Sequence, residues 1–355
     1  MILWNDWEEK ESVLIDKVNM DSITHIALGA CMGEAFAGKK LGKKAMLWGA
    51  LAQSVPDIDF IASFWMDTSS ELLAHRGFTH SFLFCALVTP FLALLAERWH
   101  RPHNIRLGKW MIFFGGVIFI HVFLDGFNNY GVAWFEPFSN KRISFNAIYV
   151  ADPFFSIWSA LACIALIYLK RRSAQRKKWW AMGLLLTALY LVYSLINKSK
   201  IDRDTKEILS KQKIKYDRYF TTPAPLQNWL WFVVAGDDNG YHVGFRSLFD
   251  KERKISFQYF PRNDSLLVPL KDHEDLQQLI RFSQQFYTVE KWNDTLVFND
   301  LRFGQIVGWE HPRGKFVFHY FLEHPRDNKL VVQRGRFRGW SWETAESFLK
   351  RIIGN

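Results

Sequence analysis

Nine ionisable side chains in the first half of the 355-residue chain are spaced for metal ligation: Asp21 and His25, Asp57 and Asp59, His75 and His80, His121 and Asp125, and Asp152. Neutral imidazole nitrogen and carboxylate oxygen together form a donor set for zinc, manganese or iron. A divalent ion held this way activates water for hydrolysis and neutralises charge on a phosphoryl oxygen. Asp21/His25 and His121/Asp125 are i, i+4 pairs, so each pair projects from one face of a helix. Pro56 disfavours helix in the residue before it, which sets Asp57 and Asp59 on an extended or irregular segment. His75-Arg76-Gly77-Phe78-Thr79-His80 turns at Gly77 and re-enters helix at His80. Nine candidates exceed the needs of one closed site, so one or two ions are expected. The competing readings are structural: Asp21, Asp59 and Asp152 as helix caps, and His25 as a satisfied interior histidine.

These residues sit inside or beside apolar blocks. The blocks 79–96, 110–127, 154–169 and 179–196 hold one formal charge between them, Asp125. Each approaches the length needed to cross the ~30 Å hydrocarbon core. A fifth block, 45–66, is interrupted by Asp57 and Asp59, and a short sixth covers 23–38. Runs this long and this uncharged predict a mainly α-helical, polytopic membrane bundle of about five to six spans. Basic residues orient it. With six crossings, one set of loops carries 14 Lys and Arg, at 39–44, 98–109 and 170–178, and the other carries five. The positive-inside rule places the 14-charge side in the cytoplasm. All nine candidates then gather at the outward ends of spans or in outward loops. Charged groups at membrane depth are costly and mark functional sites. Their grouping on one side suits an enzyme open to one leaflet better than a proton relay or transporter. His100 and His103 fall in a basic loop and read as interfacial charge.

Residues 197–355 hold 46 of the 80 charged residues and read as a soluble α+β domain. Strands are expected at 228–234, 241–248, 255–260, 295–298, 304–309 and 315–322, and helices at 202–219, 273–289 and 341–353. Gly236-Asp237-Asp238-Asn239-Gly240 marks a hairpin. The chain therefore divides into an acidic amphipathic segment at 1–19, a transmembrane domain at 20–196 and a soluble domain at 197–355. Three cysteines exclude a disulfide framework. The net charge of +10 is an orientation signal, because its basic residues flank spans. With no basic–aromatic recognition motif, no nucleic-acid partner is expected. No particular protein partner is indicated. The mean hydropathy of −0.09 averages two unlike halves.

Thr24-His25-x-x-x-Gly29, Pro56-Asp57-Ile58-Asp59, His75-Arg76-Gly77-Phe78-Thr79-His80-Ser81, and His121-x-x-x-Asp125 with Gly131 and Pro137 resemble the bacterial membrane-bound metal-dependent hydrolase family. These YdjM-like proteins are also described as LexA-binding, inner-membrane-associated hydrolases. The likeness covers about residues 20–200. It implies multi-pass insertion in the bacterial inner membrane and a metal set of His25, Asp57, Asp59, His75, His80, His121 and Asp125. A fainter similarity to the zinc-dependent phospholipase C and P1-type nuclease group favours phosphoesters. It rests on an early His, a mid-chain Asp and a later His-x-x-x-Asp. The expectation is a metal-dependent hydrolase acting on a phospholipid or another membrane-borne phosphodiester at the extracytoplasmic face. Zinc is the first choice of ion, with manganese or iron as alternatives. His121, Asp125, Asp57 and His75 are the first-choice ligands. Asp59 or His80 would serve as ligand or general base, and Arg76 as a bidentate phosphate clamp or a membrane-surface anchor. Asn128, Asn129 and Tyr130 are candidates for hydrogen bonds to substrate. The alternative is a non-catalytic membrane scaffold or regulator with a structural metal site.

Overall fold

The computed structural model describes residues 20–101, 105–323, 328 and 340–354. The segment 1–19, expected to be amphipathic, lies outside the described residues, as do His103 and the side chain of Asp21. α1 (Met20–Leu41) and α2 (Lys43–Ser54) form a hairpin that turns at Gly42, φ +61°. Small residues let the two backbones touch. A Cβ on Gly49 would lie 1.9 Å from the Gly29 carbonyl oxygen, and one on Gly33 would lie 2.0 Å from that of Ala45. This close approach brings His25 on α1 beside Gln53 on α2.

α2 stops at Ser54, and the chain continues as a 3-10 segment, Pro56–Phe64. The block 45–66 is thus interrupted before Pro56, as expected, and Asp57 and Asp59 lie on tight 3-10 turns. Pro56 is the reason: its fixed φ suits the first turn of a new helix, while its missing N–H interrupts the ladder from α2. A short helix, α3 (Thr68–Ala74), and a 3-10 turn, Phe78–His80, lead to α4 (Phe82–Trp99). α5 (Leu107–Asp125), α6 (Pro153–Tyr168) and α7 (Gln175–Lys211) complete the helical part.

α4, α5 and α7 are long and apolar enough to cross a membrane, and α6 is apolar but shorter. α5 buries Trp110, Phe113, Phe114, Val117, Ile118, His121, Val122 and Asp125. That spacing is one helical face, so His121 and Asp125 close the core stripe, while Ile112 and Phe119 point outward. Contacts between helix ends show that α1, α2, α4, α5, α6 and α7 run in alternate directions. His25, Asp57, His80 and Asp125 meet at one end. At the other, the Arg176 guanidinium donates to both carboxylate oxygens of Glu34 at 2.8 and 2.7 Å. His100, expected as interfacial charge, is buried there and accepts a hydrogen bond from the Trp48 indole at 2.9 Å. An indole N–H in an apolar cluster needs such an acceptor.

α7 passes unbroken through the predicted domain boundary at 196/197. Beyond it, β1 (Arg218–Pro223), β2 (Leu230–Gly236), β3 (Gly240–Ser247) and β4 (Gln258–Pro261) form an antiparallel sheet in sequence order. Gly236 pairs with Tyr241 at the predicted hairpin. After α8 (Glu274–Phe282), a second antiparallel sheet consists of β5 (Tyr287–Trp292), β6 (Thr295–Gln305) and β7 (Phe316–Phe321). α9 (Trp342–Ile353) comes last, with Ser341 accepting from the Thr344 N–H. β1 and β5 are additional to the expected strands. The helix expected over 273–289 ends at Phe282, where Gln284 and Gln285 adopt positive φ and turn the chain into β5. The expected strand at 304–309 is the end of β6 and the turn after it.

Candidate metal centre

Four of the candidates converge where α2, α4 and α5 meet. Asp57 comes from the 3-10 segment, His80 from the turn before α4, and His121 and Asp125 from the last turns of α5. One donor atom from each lies within 4.8 Å of all the others. His80 Nε2 is 3.2 Å from His121 Nε2, 3.6 Å from Asp57 Oδ1 and 3.1 Å from Asp125 Oδ2. His121 Nε2 is 3.5 Å from Asp57 Oδ1 and 3.6 Å from Asp125 Oδ2. Donors about 2.05 Å from a zinc ion at tetrahedral angles are about 3.3 Å apart, so these five edges fit one ion. Two imidazole nitrogens aimed at each other between two carboxylates are poorly served by hydrogen bonds alone, since one proton at most sits between them. His121 Nδ1 is buried with no hydrogen-bond partner among the described residues. The His25 ring packs against that imidazole at a centroid distance of 4.0 Å.

A second layer orients the four. His25 Nε2 is 3.1 Å from Asp125 Oδ1, its Nδ1 is 3.1 Å from Gln53 Oε1, and Gln53 Nε2 donates to the Val117 carbonyl at 3.0 Å. His25 thus holds the outer oxygen of Asp125 instead of joining the cluster. With three residues per 3-10 turn, Asp59 points away from Asp57. Asp59 Oδ2 accepts the Arg76 N–H at 2.7 Å and lies 3.2 Å from His75 Nδ1 and 3.5 Å from His80 Nδ1. Carboxylate and amide partners of this kind fix the rotation of the groups in front of them. Of the seven residues expected to ligate, four therefore converge, and His25, Asp59 and His75 surround them. Asp152 lies apart: it accepts from the Phe154 and Phe155 N–H groups at 2.9 and 3.3 Å and from the Tyr190 hydroxyl at 2.8 Å. That is the helix-cap reading of this residue.

Arg76 occupies the left-handed region, φ +57°, in the turn that delivers His80. Its side chain is buried, with Nε 3.3 Å from Asp125 Oδ2 and the guanidinium 5.2 Å above the Tyr130 ring. Burial removes the surface-anchor reading. Arg142 is a site residue that sequence reasoning missed. Its guanidinium donates to the carbonyls of Leu73 at 3.0 Å, His75 at 2.6 Å and Gly131 at 3.0 Å, tying the His75–His80 turn to the loop after α5. Burial, with the nearby Arg302 charge, pulls its pKa down to about 9, against the opposing pull of Glu136. The available sequence signal, Lys141-Arg142 in the loop after α5, reads as flanking charge.

The sheet domain closes over this end of the bundle. Leu72, Leu73 and Tyr130 pack against its core beside Phe282 and Phe318. Ser69 donates to Asp275, and Ser70 donates to Gln278 Oε1 at 3.1 Å. Asn129 Nδ2 donates to the Arg302 carbonyl at 2.7 Å, and the Arg302 guanidinium donates to the Asn129 and Tyr130 carbonyls at 3.3 and 3.4 Å. Asn129 and Tyr130, expected to meet substrate, are thus engaged with the domain, and Asn128 Oδ1 accepts the Tyr130 N–H at 3.0 Å.

A buried His/Asp cluster at one end of an apolar helical bundle defines a membrane protein with a candidate metal centre. Residues 20–201 match the family described as YdjM inner membrane protein, and the chain belongs to that family. The match holds all four converging residues and stops short of the sheets. The chain is similar to YfhP of Bacillus subtilis (strain 168), named an uncharacterized protein, with 29% identity over 353 residues, 95% of this chain and 100% of the relative. It is also similar to the inner membrane protein YbcI of Escherichia coli (strain K12), with 30% identity over 122 residues, 34% of this chain and 69% of the relative. No solved structure matches the chain.

Proposed function

We propose that this protein is a membrane-embedded, metal-dependent hydrolase of a phospholipid or another membrane-borne phosphodiester. The observation that supports the reading is the Asp57, His80, His121 and Asp125 cluster, two nitrogens and two oxygens with five separations between 3.1 and 3.6 Å, at the end of membrane-length helices. A bound zinc ion, or manganese or iron in its place, would activate water and draw charge from the phosphoryl oxygens. The chain's own groups do the rest. Asp57 is the one member of the four with substantial exposed surface, 29% of its side chain, and marks the side of approach. Asp59, outside the four, with His75 against it, would serve as the general base. Arg76, beside Asp125, presents charge to a phosphate. We read the bundle as six crossings, with the 14-charge end in the cytoplasm and the cluster and sheet domain on the extracytoplasmic side.

Metal analysis together with hydrolysis of vesicle phospholipids tests this. The purified protein should carry a divalent ion and cleave the phosphodiester, and His121→Ala should lose both. Metal-free protein, or hydrolysis unchanged in His121→Ala, refutes the reading. Four protein donors are also what a closed structural site has, and this favours a scaffold with a structural ion as the second reading. In that case His121→Ala lowers the melting temperature with no hydrolysis to lose.

A further inference from the structure

We propose that the metal centre opens sideways into the membrane, across a rim made by the 3-10 segment Pro56–Phe64 and the residues beside it. A lipid headgroup then reaches the cluster while its acyl chains stay in the leaflet. The proposal rests on the hydrolase reading for the cleavage of an arriving headgroup, whereas the opening itself is a property of the fold.

The helix lengths set the depth of the centre. α4 has 18 residues and α5 has 19, so at 1.5 Å per residue they span about 27 and 29 Å, nearly the whole ~30 Å hydrocarbon core. Their ends therefore lie at the boundary between hydrocarbon and headgroups. His80 precedes α4 by two residues and Asp125 ends α5, which sets the cluster at the level of lipid phosphate.

The closed sides of the centre set the direction of the opening. His80, His121 and Asp125 are buried within the bundle. On the side of the sheet domain, Leu72, Leu73 and Tyr130 pack into that domain's core, and the Tyr130 ring lies 5.2 Å from the Arg76 guanidinium and 5.8 Å from the His75 ring. Of the four, the exposed one is Asp57, at 29% of its side chain, while His75 in the surrounding layer is 37% exposed. In a 3-10 helix, residues three apart eclipse one another, so Asp57 shares its face with Phe60. Phe60, Phe64 and Trp65 are 56%, 72% and 70% exposed, with Met66 and Phe78 also exposed beside them. The stretch 56–66 carries no formal charge besides Asp57 and Asp59. It continues the exposed apolar surface of Leu47 and Leu51 on α2. So many large apolar side chains facing water would be costly, whereas aromatic rings are favoured at the membrane boundary. The surface beside the open edge is thus fitted to lipid.

The full chain in phospholipid nanodiscs, in a Cys163→Ser background that leaves the buried Cys31 and Cys85, can carry a nitroxide at Phe64→Cys. Reference labels go to Ile112→Cys on the outer face of α5 and to Asp294→Cys in the exposed β5–β6 turn. Collision with dissolved oxygen and with a water-soluble nickel chelate, read by electron paramagnetic resonance, reports depth. The Phe64 label should behave as the Ile112 label does, with oxygen relaxing it more than nickel; behaviour like that of Asp294 overturns the proposal. Phe64→Glu should cut hydrolysis of vesicle phospholipid at least tenfold while metal content and hydrolysis of soluble bis(p-nitrophenyl) phosphate stay within twofold. Equal loss on both substrates overturns the lateral route. If the unmodified protein cleaves neither substrate, the hydrolase reading fails and the depth measurement still decides the opening.

Discussion

Replacing His121 by alanine removes one of four converging donors and leaves the rest of the bundle's polar network in place. Structural zinc sites bind with about 10–16 kcal/mol at neutral pH. Shared among four donors, this makes each worth about 2.5–4 kcal/mol, or roughly 70- to 900-fold in Kd. His80→Ala should cost the same. Residues behind the donors act by orientation, and losing one costs about 10- to 100-fold. Asp59→Ala belongs here, because it strips the acceptor from the Arg76 N–H and from His75 and His80. So does His25→Ala, which releases Asp125 Oδ1. Asp152→Asn alters the cap of α6 and the bond from the Tyr190 hydroxyl, both apart from the four, and should leave affinity unchanged. Competition against a chelator of known affinity, on detergent-purified protein with circular dichroism as the control for folding, measures the whole series. The reasoning fails if His121→Ala and Asp152→Asn bind metal alike. It also fails if Asp59→Ala is as damaging as His121→Ala, because Asp59 would then be a ligand and the single-ion assignment wrong.

Two further variants probe the scaffold. Gly49→Ala places a methyl group 1.9 Å from the Gly29 oxygen, so α1 and α2 must part by about 1.5 Å to reach the 3.4 Å of ordinary contact. We expect a loss of about 2 kcal/mol, a melting temperature several degrees lower, and weaker metal binding as His25 leaves Gln53; an unchanged melting curve would deny the close approach. Arg142→Lys keeps the charge but loses the fork that reaches three carbonyls. It should cost about 2–3 kcal/mol and speed hydrogen exchange of the backbone at 75–80, and unchanged protection there would remove Arg142 from its positioning role.

The helices were legible because hydrocarbon-length apolar runs admit little else, and His121 and Asp125 stood out as the polar members of one such run. Their meeting with Asp57 and His80 came from alternating helix direction, which the basic loops also record. What the sequence concealed is the division of seven candidates into four donors and three supporters. Asp57 and Asp59 differ by two positions on a 3-10 segment, and only the local winding decides which one faces the cluster. Arg142 was hidden for another reason. Its role consists of bonds to carbonyls 69, 67 and 11 residues away, and carbonyls leave no trace in residue type. In the second half, β2 and β3 were readable from the turn between them. β5 was masked because α8 ends without a glycine, at two glutamines with positive φ.

X-ray absorption at the edge of the bound metal, on protein purified with its ion, tests most directly whether Asp57, His80, His121 and Asp125 hold one ion. The account predicts four or five nitrogen and oxygen neighbours at about 2.0–2.2 Å, with scattering from two imidazole rings that falls to one in His121→Ala. A shell containing sulfur, a shell without imidazole, or a spectrum unchanged by His121→Ala would contradict it.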